Sequence, residues 1–288
     1  MKLIIQPEDG LAPVVRIVRK AKKTIDIAIF RFDRTELEEA LGAAVDRGVV
    51  VRALIAHTNR GGEKTLRKLE LRLLRAGISV ARTADDLPRY HGKFIIADGV
   101  LHVFGFNYTK LDIDGSRSFG LSTSDKKVVK EALSLFEADS TRQPYVPSDA
   151  RLVVSPETSR ARLAAFIKAA KKQLLIYDQA VTDNAIQKIL QERATAGVEV
   201  RVLGKVEKNL EGINRRKLAR YRLHVRAIIR DGAAAFVGSQ SLRKLELDGR
   251  REVGLIMTNT RIAKKMQAVF EADWEASAQG KSAATSAA

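Results

Sequence analysis

His91-Gly92-Lys93-Phe94-Ile95-Ile96-Ala97-Asp98-Gly99 and His224-Val225-Arg226-Ala227-Ile228-Ile229-Arg230-Asp231-Gly232 are two versions of one phrase. Each sets a histidine two places before a cation, runs on through apolar residues, and ends in Asp-Gly, a favoured hairpin turn. Working outward, more of the chain repeats. Gly105 and Gly238 keep the same distance from their histidines. After one inserted residue, Leu111-Asp112-Ile113-Asp114-Gly115 answers to Leu245-Glu246-Leu247-Asp248-Gly249, and Phe136-Glu137-Ala138-Asp139 to Phe270-Glu271-Ala272-Asp273. Upstream, Pro7-Glu8, Ala21-Lys22-Lys23 and Gly48-Val49 match Pro156-Glu157, Ala170-Lys171-Lys172 and Gly197-Val198 at one offset. Chance does not produce this many ordered matches, so the chain is an internal duplication.

The first copy supplies the grammar of both. Helical spacing of apolar residues marks 12–22, 35–47 and 64–76, and Gly48 and Gly77 are good helix stops. Apolar or β-branched runs at 24–30, 49–55, 78–81, 93–97 and 101–104 read as strands, and 128–138 as a closing helix. Strands alternating with helices imply an α/β protein with mixed sheets covered on both faces. The connector holds Pro144, Pro147 and Pro156, which places the boundary near residues 143–155. The low-apolar stretch 278–288 is expected to be a disordered tail.

The chain has 288 residues, no cysteine and a net charge of +17. The length suits two modest domains, and the missing cysteines exclude disulfides and thiolate chemistry. The only apolar run in the opening MKLIIQPEDG is Leu3 to Ile5, shorter than a signal peptide core. No stretch reaches the roughly 18 apolar residues of a spanning helix. The expectation is a cytoplasmic protein, peripheral at the membrane if its substrate is a lipid. The charge points to an anionic partner, whether nucleic acid, an anionic membrane or a small phosphate.

On a strand, positions i and i+2 share a face, so His91 points with Lys93 and His224 with Arg226. A fixed cation beside an imidazole repels a metal ion but holds a phosphate while the ring reacts. Two such histidines can supply a nucleophile at phosphorus and an acid for the departing alcohol, with Lys93 and Arg226 stabilising the non-bridging oxygens. His57 and His102 have no repeated partner and read as ordinary surface or core residues.

In these residues the chain resembles the phospholipase D superfamily, whose pattern is His-x-Lys-x4-Asp followed by Gly-Ser and often Asn. Gly238-Ser239-Gln240 and Gly105-Phe106-Asn107 stand at the family spacing. The resemblance covers roughly residues 5 to 277. It implies two homologous α/β/α halves packed about a pseudo-twofold axis, 1–145 and 150–277, sharing one site. It implies a phosphohistidine mechanism with no metal and no cofactor. Asp98 and Asp231 would be structural partners rather than bases, and Asn107, Ser239 and Gln240 would bind phosphate oxygens or brace the motifs. Arg226 departs from the family's Lys and Phe106 from its small hydroxyl residue. Family members often carry an acid beyond the Gly-Ser segment that orients a histidine. Glu252 fits in the second half, whereas the first has Ser118 there. If that contact crosses between halves, Glu252 serves His91, making His91 the nucleophile and His224 the general acid/base. A contact within one half would reverse the order.

The substrate is left between classes. Two motifs in one chain resemble the cardiolipin synthase-like branch and favour a phospholipid headgroup phosphodiesterase or phosphatidyltransferase. The alternative is a metal-independent nuclease or nucleic-acid end-processing enzyme, which the charge favours; an inactive phosphate-binding protein is the minority reading. Arg215, Arg216, Lys217, Arg220, Arg222, Arg226 and Arg230 line the approach to the second motif, as Lys64, Arg67, Lys68, Arg72 and Arg75 do the first, and both stretches read as helices at the site edge. Tyr221 is their one stacking platform. One chain holds a whole site, so a monomer without an obligate protein partner is expected.

Overall fold

The computed structural model describes residues 2–58, 62–207 and 210–285, with the side chains of 62, 63 and 278–285 left aside. The first half runs β1 (Lys2–Gln6), α1 (Ala12–Lys20), β2 (Thr24–Ile29), α2 (Thr35–Asp46), β3 (Val50–Ile55), α3 (Gly62–Arg75), β4 (Ser79–Arg82), β5 (Phe94–Ala97), β6 (Val100–Phe104), α4 (Lys110–Gly115), β7 (Ser116–Thr123) and α5 (Lys126–Thr141). The second runs β8 (Leu152–Val154), α6 (Ser159–Lys168), β9 (Gln173–Val181), α7 (Asn184–Thr195), β10 (Glu199–Val206), β11 (Ile213–Arg216), β12 (Arg222–Leu223), β13 (Ala227–Arg230), β14 (Ala234–Gly238), α8 (Lys244–Asp248), β15 (Val253–Thr258) and α9 (Thr260–Thr285).

The duplication is visible strand for strand. One sheet has the order β1-β7-β6-β5-β2-β3-β4 and the other β8-β15-β14-β13-β9-β10-β11. In each, the three strands at one end are parallel and the rest antiparallel, giving a mixed sheet. Alternation along the strands sorts their side chains into layers. Ile25, Ile27 and Ile29 of β2 face an outer core under α1, α2 and α3, while Ala28 faces inward. A matching outer core lies under α6 and α7. Between the sheets, one shared core takes Phe94, Ile96 and Leu121 from the first, Tyr177, Ile229 and Leu255 from the second, and residues of α5 and α9. Each half therefore completes its core with the other.

The Asp-Gly turns form as the sequence implies. Asp98 and Gly99 both take positive φ, 46° and 75°, between the paired ends Ala97 and Val100. Asp231 and Gly232 do the same at 55° and 60°. Asp98 then accepts backbone N–H bonds from Lys22, Lys23 and Thr24 at 2.7–3.0 Å, and Asp231 from Lys171, Lys172 and Gln173. Those amides open the neighbouring strands β2 and β9, so each aspartate ties its hairpin to the sheet centre. The donated bonds outweigh burial and hold both carboxyls below their usual range.

One expectation needs correction. The basic stretch before the second motif is not a helix. Arg215 and Arg216 lie on strand β11, and Arg222 on β12. Among the described residues helix α3 has no counterpart there, because the second copy is shorter between its parallel strands, so the two basic stretches are not equivalent. Helix α9 runs to Thr285; residues 286–288 lie outside the described residues.

A pair of reciprocal clamps fastens the halves. Arg117 of the first half forms a two-pronged pair with Asp273 of the second, at 2.7 and 3.0 Å, and reaches Glu8 in its own half. Arg251 of the second half pairs with Asp139 of the first at 3.1 Å and with its own Glu157. Arg117 and Asp273 are each 4% exposed at the side chain. Replacing Arg117 by Leu strands a buried carboxylate and should cost about 3–5 kcal/mol, read as a lower urea midpoint. An unchanged midpoint would mean that the clamp adds nothing to stability.

Candidate active site

The two motifs meet because each is hydrogen-bonded to the opposite half. Arg222 and Leu223 of β12, just ahead of His224, add to the first sheet in parallel with Ser116 and Arg117 of β7. In the mirror arrangement, Tyr90 bridges Arg251, Arg251 N–H donates to Arg89 O, and His91 N–H donates to Arg251 O at 2.7 Å. Gly92 is needed at this crossing: a Cβ there would stand 2.8 Å from the Val253 side chain.

His91 is almost fully fixed. Its Nδ1 lies 2.8 Å from Glu252 Oε2 and its Nε2 lies 2.7 Å from Lys93 Nζ. A carboxylate can only accept and an ammonium only donate, so the proton is assigned to Nδ1 and the lone pair to Nε2. Phe30 packs edge-on against the ring with centroids 4.6 Å apart. The carboxylate contact crosses between halves. Glu252 is fully buried, and burial raises its pKa against the pull of Lys93.

His224 sits differently. Asp112 of α4, also from the opposite half, places Oδ2 3.4 Å from its Nδ1. That is ion-pair range without hydrogen-bond alignment, and Nδ1 has no hydrogen-bond partner among the described residues. Asp112 is itself held by Arg222 at 2.6 Å and by the Asn107 backbone and side-chain N–H groups. Arg226 is 5% exposed and donates one bond, to Gln179 at 3.3 Å. Its Nε and Nη1 are buried without partners among the described residues. Leaving such donors unmet is costly, so they are ready for an anion.

Burial, reinforced by Lys93 and Arg226, pushes the His91 pKa well below the usual histidine value. Burial and Arg226 do the same to His224, with Asp112 opposing. Each ring therefore feels the cations of both motifs. Burial also brings Lys93 down to about 7. These shifts favour neutral imidazoles under a positive field, a setting that suits an anion and a nucleophilic ring nitrogen.

The other residues singled out by the sequence make the following contacts. Ser239 exchanges bonds with the Val253 backbone. Gln240 donates to Val153 O and Ser159 and is packed into the joint of β8 with α6. Asn107 supports Asp112, Phe106 packs on Phe104, and Asp98 and Asp231 stay at their hairpins. Ser118 is buried, with no hydrogen-bond partner for its hydroxyl among the described residues. His102 is buried against Ser122. Sequence reasoning missed Asp112, although its match with Glu246 marked a repeated acid close to the motifs. Among the described residues no three His, Asp or Glu side chains cluster to hold a metal ion.

The family described as "Cardiolipin synthase, PLD-like domain" matches residues 14–140 and 163–274. The chain belongs to this family. It is 29% identical over 151 residues to a mitochondrial cardiolipin hydrolase of Mus musculus, covering 50% of this chain and 66% of that protein. Its fold matches a phosphatidylserine synthase of Haemophilus influenzae with TM-score 0.70 at 10% identity, over 95% of this chain and 85% of that one. A polyphosphate kinase from Porphyromonas gingivalis aligns with TM-score 0.76 at 18% identity, over 94% of this chain and 49% of that one. The family match places the chain in the phospholipase D superfamily, and the two solved structures share its fold over almost the whole chain.

Sulfate, which does not titrate near neutrality, probes the cationic site directly. Lys93 carries its charge below its pKa of about 7 and loses it above. Sulfate affinity should therefore fall as pH rises through that value, and Lys93→Arg should flatten the fall. An affinity in the wild-type protein that is level across the range would show that Lys93 keeps its proton.

Proposed function

We propose that this chain is a phosphodiesterase or phosphatidyltransferase of phospholipid headgroups, working through a phosphohistidine on His91. The observation that carries the reading is the His91 arrangement. Glu252 holds the Nδ1 proton across the half boundary, which leaves Nε2 as the lone pair beside Lys93. Incoming phosphate draws Lys93 onto a non-bridging oxygen and uncovers that lone pair. Nε2 attacks phosphorus, the P–O bond to the leaving alcohol breaks, and His224 gives that oxygen its proton. Water or a second alcohol, deprotonated by His224, then attacks phosphorus and breaks the P–N bond. Arg226 offers its unmet Nε and Nη1 to the charged oxygens throughout.

His224 must be protonated for the first step, yet burial and Arg226 favour its neutral form. A bound phosphodiester brings one negative charge, which offsets Arg226 and Lys93. Substrate binding and proton uptake on His224 are therefore coupled, and Asp112 stabilises the imidazolium that forms.

The family match and the curated relative support the lipid assignment. The nucleic-acid reading has the net charge in its favour, but Tyr221 is not free to stack bases. Its ring lies beneath the Arg117 guanidinium at 4.6 Å and packs against the shared core. His91, His224 and Arg226 are each 5–6% exposed, so a flexible headgroup reaches them more readily than a rigid duplex.

Purified protein in EDTA, given phosphatidylglycerol vesicles or DNA side by side, tests the substrate. Headgroup release, or transfer to an added alcohol, is expected with wild type and lost by at least roughly a thousandfold in His91→Ala. Cleavage of DNA alone would replace the lipid assignment. With phosphate-labelled lipid, His224→Ala should accumulate label on protein while His91→Ala should not; the opposite pattern would exchange the roles of the two histidines.

A further inference from the structure

The duplication leaves two unpacked leucines at matching places. Leu111 on α4 is 56% exposed and Leu245 on α8 is 49% exposed. Each directly follows an exposed lysine, Lys110 or Lys244. A single exposed leucine needs no explanation. Here the same Lys-Leu pair recurs in both copies, on two short helices that also carry site acids. The next residue after Leu111 is Asp112, whose carboxylate lies beside His224. The next after Leu245 is Glu246, which is buried and accepts the Ser241 N–H. Both acids act electrostatically on Lys93. Successive helical residues diverge by about 100°, so each helix turns its acid in toward the site and its leucine out to solvent. The two Lys-Leu pairs are therefore exposed next to buried acids that act on the site, one from each half.

An apolar tip beside a flexible cation suits a surface that is anionic outside and apolar just beneath. We propose that Lys110-Leu111 and Lys244-Leu245 are paired contacts with an anionic bilayer, the leucines entering its interface and the lysines meeting lipid phosphates. This rests on the lipid-headgroup reading and explains how the site would face its substrate. The charge of +17 makes approach to such a membrane favourable. A nucleic acid would satisfy the lysines but offers no apolar layer to the leucines.

The test is the double variant Leu111→Ser/Leu245→Ser beside wild type, in two assays. One is co-sedimentation with phosphatidylglycerol vesicles and turnover of their lipid. The other is hydrolysis of a water-soluble phosphodiester, bis(p-nitrophenyl) phosphate. Vesicle binding and vesicle turnover should each fall by roughly tenfold, with soluble turnover unchanged. Lys110→Gln/Lys244→Gln should weaken binding to anionic vesicles and leave the weaker binding to phosphatidylcholine vesicles as it was. Wild-type binding and turnover in the leucine variant would overturn the proposal, as would equal loss in both assays, which would make the leucines supports of Asp112 and Glu246. Wild type that binds vesicles through these leucines but cleaves only DNA would keep the contact and reject the lipid substrate.

Discussion

Each half lends hydrogen-bonding backbone to the motif of the other. β12 lies along β7, and Arg89 to His91 lie along Arg251. Backbone bonds of this kind tolerate little displacement, so they fix the histidines more tightly than side-chain packing alone could. The other special features at the boundary follow from that exchange. Gly92 must be small because the chains cross there. Arg117 and Arg251 must be buried because they sit at the crossing, and Asp273 and Asp139 must come from across it to neutralise them. Glu252 reaches His91 because it follows Arg251 directly. The shared core of both sheets, α5 and α9 supplies the apolar burial that holds this polar seam in place.

The site is electrostatically uneven although the scaffold is symmetric. Glu252 and Ser118 are repeat equivalents, and so are Phe30 and Gln179. One histidine has a tightly bonded carboxylate and an aromatic wall, while the other has a looser acid from α4 and a neighbouring guanidinium held by an amide. Different protonation behaviour at the two rings follows from these contacts rather than from the motif itself.

Most of the scaffold was legible in the sequence. Helices α1, α2 and α5 and strands β2, β3, β5 and β6 carry strong apolar periodicity, and the structure places them within a few residues of the expected spans. Strand β7 has no clear signal because Ser116-Arg117-Ser118 is polar, and Arg117 is buried only through its pair with Asp273 of the opposite half. Strand β11 is not legible in the sequence because a run of basic residues has no apolar period to mark it. Family resemblance pointed to Glu252 but left open whether its contact crosses between halves, which the structure shows it does; Asp112 was hidden because its role depends on how a short helix docks across the boundary. Local signals disclose local structure; Asp112 and Arg117 draw their roles from partners in the opposite half.

The clamps Arg117–Asp273 and Arg251–Asp139 have the form of an isologous contact, in which one patch binds its own copy. Two free copies of one half would be bound to keep both patches alike, since every substitution would appear twice. Joined in a single chain, the copies can drift apart. Ser118 could arise opposite Glu252, and α3 could exist on one side alone, without a matching change in the other. The covalent link thus gives a twofold frame a direction, so that the two sides of a bound phosphorus atom need not meet the same chemistry.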